Sequence, residues 1–316
     1  MSGDRGMSSA WNAWLFSDES AHNLAAARII ICAQSLWILL SRDLPAISGL
    51  PALYWTFVPE STRWRYLLFP AHAGVESALQ WLAVLALVLG MMGVATRATL
   101  LVAGLLLYHL APLETIIWSE NAMERGLEIS IMALVILSFA PCADAWALSG
   151  QRSSVPDRRG WAYRWPLLVI QLLVVEVYFL SGYHKLHHAG LAWASADNIR
   201  RWLVALSLWQ PISVHTAFAQ FIASRPVLCT AVGFGTLAFE LGTPLILFIR
   251  RLRTSWVLLA LVMHIGIVFA MNIVFLNAPQ VLVLLDWGAV RDRAAAWRRR
   301  AAGYRARVSG AIVPQP

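Results

Sequence analysis

The sequence predicts an all-α fold: a polytopic transmembrane helical bundle of about eight spans, with both termini in the cytoplasm. Three observations carry that expectation. Only 13% of the 316 residues are charged and 59% are hydrophobic, whereas a soluble globular domain carries about 25% charged residues. The apolar residues gather in runs approaching the roughly 20 residues that a helix needs to cross hydrocarbon. Arginines fall in alternate connections between those runs, the bias that keeps loops in the cytoplasm. Sixteen tryptophans suit the aromatic belts of membrane interfaces. The formal charge of +8 does not point to nucleic acid, because much of it lies in 291–307, just after the last apolar run. Residues 291–316 are read as a basic cytoplasmic tail facing anionic headgroups.

Residues 1–21 contain WNAWLFSDES, read as an interfacial segment in which Ser17 or Asp18 starts a helix. No cleavable signal peptide is expected, since about twenty mostly polar residues precede the first apolar run and no small-residue cleavage site follows it. The first span covers 24–40 and carries Arg28. Residues 41–74 form a loop rich in Trp, Tyr, Phe and Pro. Further spans are predicted at 75–95, 98–117, 126–146, 165–182, 227–249 and 255–275, with a short last one at 279–290. Residues 183–226 are expected to be an extracytoplasmic or re-entrant segment. The whole chain, 1–316, reads as one transmembrane domain without internal repeat, Gly/Ser linker or second domain.

Topology follows from the arginines. Arg97, then Arg152, Arg158, Arg159 and Arg164, then Arg250, Arg251 and Arg253, then 291–307 occupy alternate connections. The intervening connection around Glu114, Glu120 and Glu124 is acidic, and 276–278 is uncharged. The two longest connections also carry arginine, including Arg42, Arg63, Arg65, Arg200, Arg201 and Arg225, and are expected to be structured. This arrangement puts the end of the fifth span on the extracytoplasmic side.

That end reads YFLSGYHKLHHAGLAW over 178–193. It holds Lys185, the chain's sole lysine; every other permanently basic side chain is arginine. A guanidinium stays charged in any protein, whereas an amine can exist neutral when poorly solvated or set beside other cations. Lys185 is therefore the candidate base or nucleophile, against the competing reading of a snorkelling helix-end lysine. His184, His187 and His188 have a spacing that would let a helix present them to a metal, but no carboxylate or cysteine stands close in sequence, and no metal is expected. Cys32, Cys142 and Cys229 are odd in number and form no metal spacing.

Ionisable groups within spans are costly and usually face a cavity or a partner. Glu240 and His264 both fall near mid-membrane by count from their helix ends, and antiparallel neighbours would let them meet as a carboxylate–imidazole pair. Gly233, Gly235, Gly242 and Pro244 flank Glu240 and permit close approach or a kink. Glu176 and Gln171 share the helix that leads to Lys185. Glu128 lies one turn below the outer end of the fourth span, and His109 lies near the outer end of the third. Each has a structural reading as a helix–helix hydrogen bond, which is the one preferred for His109.

At this point the residues resemble a family. YFLSGYHKL followed by Trp193, FELGTPLILF at 239–248, LALVMHIGIVFAMNIVF at 259–275 and the opening LFSDESAHNLAAARI are similar to the vitamin K-dependent gamma-glutamyl carboxylases and the HTTM-domain proteins. The resemblance implies a helical membrane fold with a site open to the extracytoplasmic side. In the carboxylases the lysine of this motif deprotonates reduced vitamin K; reaction of the anion with oxygen yields a strong base, which removes a glutamate gamma proton before carbon dioxide adds. Lys185 falls on that lysine and His264 on the histidine of the late helix. Two departures stand out. Where the carboxylases carry an Asn-His pair after a tryptophan, Trp118 is followed by Ser-Glu-Asn, with Asn121 near the place of the histidine. The chain also ends soon after the last span, without the large propeptide-binding domain.

The quinol half of the chemistry is therefore the expectation. A hydroquinone hydroxyl has a pKa of about 10, like tyrosine, so a neutral amine of matched basicity can take its proton. Lys185 and His264 are the expected catalytic residues; Glu240, Glu128, Asn121, His184 and Trp193 are the expected ligand-holding ones. The cofactor is a menaquinol-type reduced vitamin K with oxygen, and with carbon dioxide if a peptide or small metabolite is carboxylated. The expected location is a bacterial inner membrane. Two other readings stay open: a non-enzymatic membrane partner in maturation, export or immunity of a secreted peptide, and a transporter with Glu240 and His264 as proton relay. Against the transporter, no inverted halves are visible.

Overall fold

The computed structural model describes residues 11–51, 53, 73–113, 125–148, 159–208 and 214–310. They form an all-α membrane bundle, with two short strands as the exception. The helices are α1 (Ala21–Leu40), α2 (Leu44–Ser48), α3 (Ala73–Met91), α4 (Thr96–Leu110), α5 (Arg125–Ser138) and α6 (Trp161–Ala189). They continue with α7 (Ala196–Leu208), α8 (Val214–Ala223), α9 (Pro226–Gly242), α10 (Leu245–Phe248), α11 (Arg253–Met271) and α12 (Trp287–Gly310). Three-ten turns cover Gly190–Ala194, Arg250–Leu252 and Ala278–Leu284.

Four stretches are long and apolar enough to cross a membrane: α1, α3, Trp161–Ala194 and Arg250–Met271. A fifth candidate is broken, with Ala217–Ala223 and Pro226–Gly242 meeting at 96°. Two apolar helices, Thr96–Leu110 and Leu127–Ser138, are shorter. The outward faces are greasy. Leu258, Leu259, Val262, Ile265 and Phe269 stand exposed along α11, as do Trp81, Leu82 and Leu85 on α3. Contiguous exposed apolar faces of this kind suit lipid, not water.

The hub is α1, which packs on α3, α5, α6, α12 and the Ala278–Leu284 turn. Leu24, Ala25, Ala27, Ile31, Cys32 and Ile38 are fully buried along it. Its cap is Ser20, whose Oγ accepts from His22 N at 3.1 Å, not Ser17 or Asp18 as the sequence suggested. Glu19 and Ser20 are held extended by antiparallel pairing with Gly160 and Arg159, which delays the helix.

Several expected boundaries move for identifiable reasons. The fourth span stops at Ser138, three residues before Pro141, rather than at 146. The fifth continues straight through the lysine motif to Ala189, so the expected segment 183–226 begins inside a helix. The sixth ends at Gly242, ahead of Pro244, and resumes as the four-residue α10. The eighth is not an α-helix: seven residues, with Pro279 lacking an N–H, form a three-ten turn, which rises faster per residue than an α-helix. Gln280, Val281, Val283 and Leu284 are buried there, and Val283 O accepts from Gln171 Nε2 at 3.3 Å.

Side-chain contacts define two ends. At the arginine end, Glu19 pairs with Arg164 (3.4 Å) and Arg250 (3.6 Å), and Asn23 Nδ2 donates to Asp286 at 3.3 Å. There too Arg28 Nη2 donates to Trp146 O at 2.5 Å, beneath Gly93. That glycine has φ +80, and a Cβ on it would meet Arg28 Nη1 at 2.6 Å. The other end holds the Glu76–His109 pair (3.1 Å) and Lys185.

Candidate functional site

The site starts from one stripe on α6. Tyr178, Ser181, Gly182 and Lys185 follow i, i+3, i+4, i+7 spacing, so all four lie on one helix face. That face is turned toward α9 and α11. Gly182 is what lets α9 in: a Cβ there would meet Glu240 Cβ at 2.8 Å and the Leu241 backbone nitrogen at 3.2 Å. Gly233 does the same one level away, where a Cβ would lie 2.6 Å from Ala194 O. Two missing side chains thus press α9 against α6 and against the turn that follows it.

Lys185 is the centre. Its Nζ donates to Ser181 Oγ at 3.1 Å and to Glu240 Oε1, forming an ion pair. The ammonium also stands 4.9 Å from the centroid of the Trp193 ring, an attractive cation–π placement. Trp193 reaches that position because the chain reverses at Gly190 (φ +58), and Asn198 Nδ2 locks the turn by donating to Trp193 O at 2.7 Å. The lysine side chain is 24% exposed and that of Glu240 6%. Glu240 Oε2 is buried and has no hydrogen-bond partner.

A second polar pair sits on the same stripe. Tyr178 Oη and His264 Nε2 are 3.0 Å apart, with their rings stacked at 5.9 Å and Phe275 stacked on the imidazole at 5.3 Å. Tyr178 stands edge-on to both rings of the stacked Phe239–Trp256 pair. His264 Nδ1, like Glu240 Oε2, is buried without a partner.

The carboxylate–imidazole pair expected between Glu240 and His264 is not formed. Each takes its hydrogen bond from α6 instead, Glu240 from Lys185 and His264 with Tyr178. Both partners were available on the stripe, and Tyr178 and Ser181 went unnoticed because neither carries a charge. His184 lies on the outward face, exposed and edge-on to Tyr183, and its carbonyl is 2.9 Å from His188 Nδ1. Glu128 and Glu176 are exposed, and the polar partners of Lys185 are Ser181 and Glu240. Asn121 lies outside the described residues. Among the described residues no group of three or more His, Cys, Asp or Glu side chains could hold a metal ion.

Chemically, the arrangement is a titratable cation joined to a poorly solvated carboxylate, with two orphaned polar atoms nearby in the fold. A proton can be handed along such a pair, and a hydroxyl-bearing ligand would satisfy atoms that are otherwise costly to bury. Compared with family models, with curated proteins and with solved structures, the chain matches none.

Proposed function

We propose that this chain is an integral-membrane enzyme resembling the vitamin K-dependent gamma-glutamyl carboxylases and HTTM-domain proteins, acting on a reduced isoprenoid quinone with oxygen. The observation that carries the reading is the joining of the sole lysine to Glu240 across the α6–α9 contact. A quinol of this class would supply a phenolic hydroxyl and, once deprotonated, reactivity toward oxygen. The residues fit it: Glu240 Oε2 and His264 Nδ1 are unsatisfied, and the apolar helix faces around them suit an isoprenoid tail entering from lipid.

An ammonium already in an ion pair is not itself a base, so Glu240 makes Lys185 competent. Lys185 Nζ accepts the hydroxyl proton while one of its own passes to Glu240 Oε1. The carboxylate becomes a carboxylic acid, the lysine ends as it began, and the negative charge moves to the ligand oxygen. Trp193 holds the ammonium in place. His264, oriented by Tyr178, presents Nδ1 to the ligand's polar groups. His184 and Glu128 lie on exposed faces, and this reading gives them no role.

The same reading puts the chain in a bacterial inner membrane with about eight passes and both termini cytoplasmic. Supporting it, the segments before α1, before α6, before α11 and before α12 meet at the arginine end, as retained cytoplasmic loops would. Lys185 then faces the extracytoplasmic half.

The test is mass spectrometry of lipid extracts after incubating the purified protein with menaquinol and oxygen. A quinone epoxide should accumulate with the natural chain and vanish in Lys185→Arg and Glu240→Gln at undiminished folded yield. Full turnover in Lys185→Arg overturns the proposal. Function indifferent to Lys185, with a stoichiometric partner co-purifying, would instead mark a non-enzymatic helper.

A further inference from the structure

Helix α12 carries a seven-residue repeat. From Val290 the sequence reads VRDRAAA, WRRRAAG, YRARVSG. The first positions are Val290, Trp297 and Tyr304; the second are Arg291, Arg298 and Arg305; the fourth are Arg293, Arg300 and Arg307. Seven residues make almost two helical turns, so each set forms a row along the helix. At about 100° per residue, one arginine row falls on each side of the aromatic row, and Ala294 and Ala301 fall within it.

The structure leaves the aromatic row bare. Trp297 is 71% exposed, Tyr304 68% and Val290 44%. The first turn, by contrast, is tied down. Gly288 N donates to Asn23 Oδ1 at 2.8 Å and Trp287 Nε1 to Leu282 O at 2.9 Å. A Cβ on Gly288 would meet Ser20 Oγ at 2.8 Å, and Ser20 caps α1. The start of an apolar crossing helix marks the height of the membrane boundary, so α12 leaves the bundle at that height.

We propose that α12 is an interfacial anchor lying on an anionic bilayer surface, its Val290–Trp297–Tyr304 row at the acyl–headgroup boundary, with Arg291 and Arg298 on one side and Arg293 and Arg300 on the other reaching phosphates. Aromatic side chains favour that depth, and arginines snorkel from it to the headgroups. Charge decides between lipid and a second copy of the helix. Pairing two copies through the aromatic row would bring four arginine rows together with one acidic residue per chain, Asp292, between 290 and 307. An anionic surface complements the same rows.

The experiment uses the full chain in nanodiscs, spin-labelled at Ala294→Cys or Ala301→Cys in the row, or at Arg299→Cys on the opposite face. Cys32, Cys142 and Cys229 are buried, leaving the introduced thiol as the reactive one. In discs containing phosphatidylglycerol, the labels at 294 and 301 should show a several-fold higher ratio of oxygen to nickel-chelate collisions than the label at 299. The contrast should shrink in phosphatidylcholine discs, and also when Trp297 and Tyr304 are both replaced by Ser. Equal nickel access at all three positions in anionic discs overturns the proposal. So does dipolar broadening between labels on two copies, which would mark a helix pair. An undiminished contrast in phosphatidylcholine removes the role of the arginine rows.

Discussion

The two ends of the bundle bury charge in opposite ways. At the arginine end, Arg28 and Arg164 are completely inaccessible and Arg253 nearly so, and their fixed charges are met by one carboxylate, Glu19, and by carbonyl oxygens. Arg253 donates to Ile246 O at 3.0 Å and Leu247 O at 3.5 Å, while Arg28 reaches Trp146 O. At the lysine end a single amine meets a carboxylate with one oxygen unused. A guanidinium forks between several acceptors and holds segments together. An amine is a point donor whose charge can move. The first end holds fixed charges among several acceptors, and the second holds a single amine against a single carboxylate.

Exchanging the cations tests that contrast most severely. Lys185→Arg keeps the charge and the ion pair but removes the transferable proton, so quinol-dependent oxygen turnover should fall by about 10²–10⁴-fold, the usual contribution of a positioned acid–base group. Its unfolding midpoint in detergent should hardly change. Arg164→Lys should do the reverse, lowering thermal stability while turnover per folded molecule persists. Similar losses of turnover in the two variants would erase the distinction between the ends.

Removing the carboxylates is the next test. Glu19 is 4% exposed and serves Arg164, Arg250, Asn23 Nδ2 at 2.7 Å and Ser20 N at 3.4 Å. Glu19→Gln leaves Arg164 buried without its counter-charge, and breaking such a pair costs about 3–5 kcal/mol. Glu240→Gln should cost about 1 kcal/mol or less, because the Lys185 head is partly solvated and can turn toward water. Chemical unfolding of the two variants side by side in one detergent checks the order, and a costlier Glu240→Gln would reverse it.

Gly182 and Gly233 come third. Alanine at Gly233 meets the backbone of Ala194 at 2.6–2.9 Å, which cannot swing away, whereas alanine at Gly182 meets chiefly Glu240 Cβ and Leu241. Overpacking of this kind costs about 1–3 kcal/mol, with Gly233→Ala expected at the upper limit. Gly235→Ala, which finds nothing within 4 Å, is the control and should be neutral or stabilising.

How much of this was legible follows from particular residues. Helical class and membrane habit were readable because apolar runs and arginine placement are local signals. Lys185 was readable because it is the sole residue of its kind. The partnering of Glu240 was not, since depth from the helix ends says how far a residue lies along a span and nothing about which neighbour it turns to. Here two glycines decide it, Gly182 letting α9 close onto α6 and Gly233 letting it close onto the turn at Ala194. Boundaries failed where Pro141 and Pro244 outweighed hydrophobicity, and where Pro279 turned an expected span into a three-ten segment. The heptad of α12 was present in the sequence but hidden beneath its charge.

A modest effect is expected at Tyr178. Tyr178→Phe removes one hydrogen bond to His264 and keeps the ring packed edge-on against the Phe239–Trp256 pair, so it should cost about 1 kcal/mol. A bond that serves packing alone would register in stability and nowhere else. If instead it orients His264 toward a ligand, KM for the quinol should rise in Tyr178→Phe while His264→Gln loses both affinity and rate, at similar folded yield. The KM-to-kcat split thus separates a positioning phenol from a structural one. Unchanged KM in Tyr178→Phe would assign the Tyr178–His264 pair to the bundle's framework.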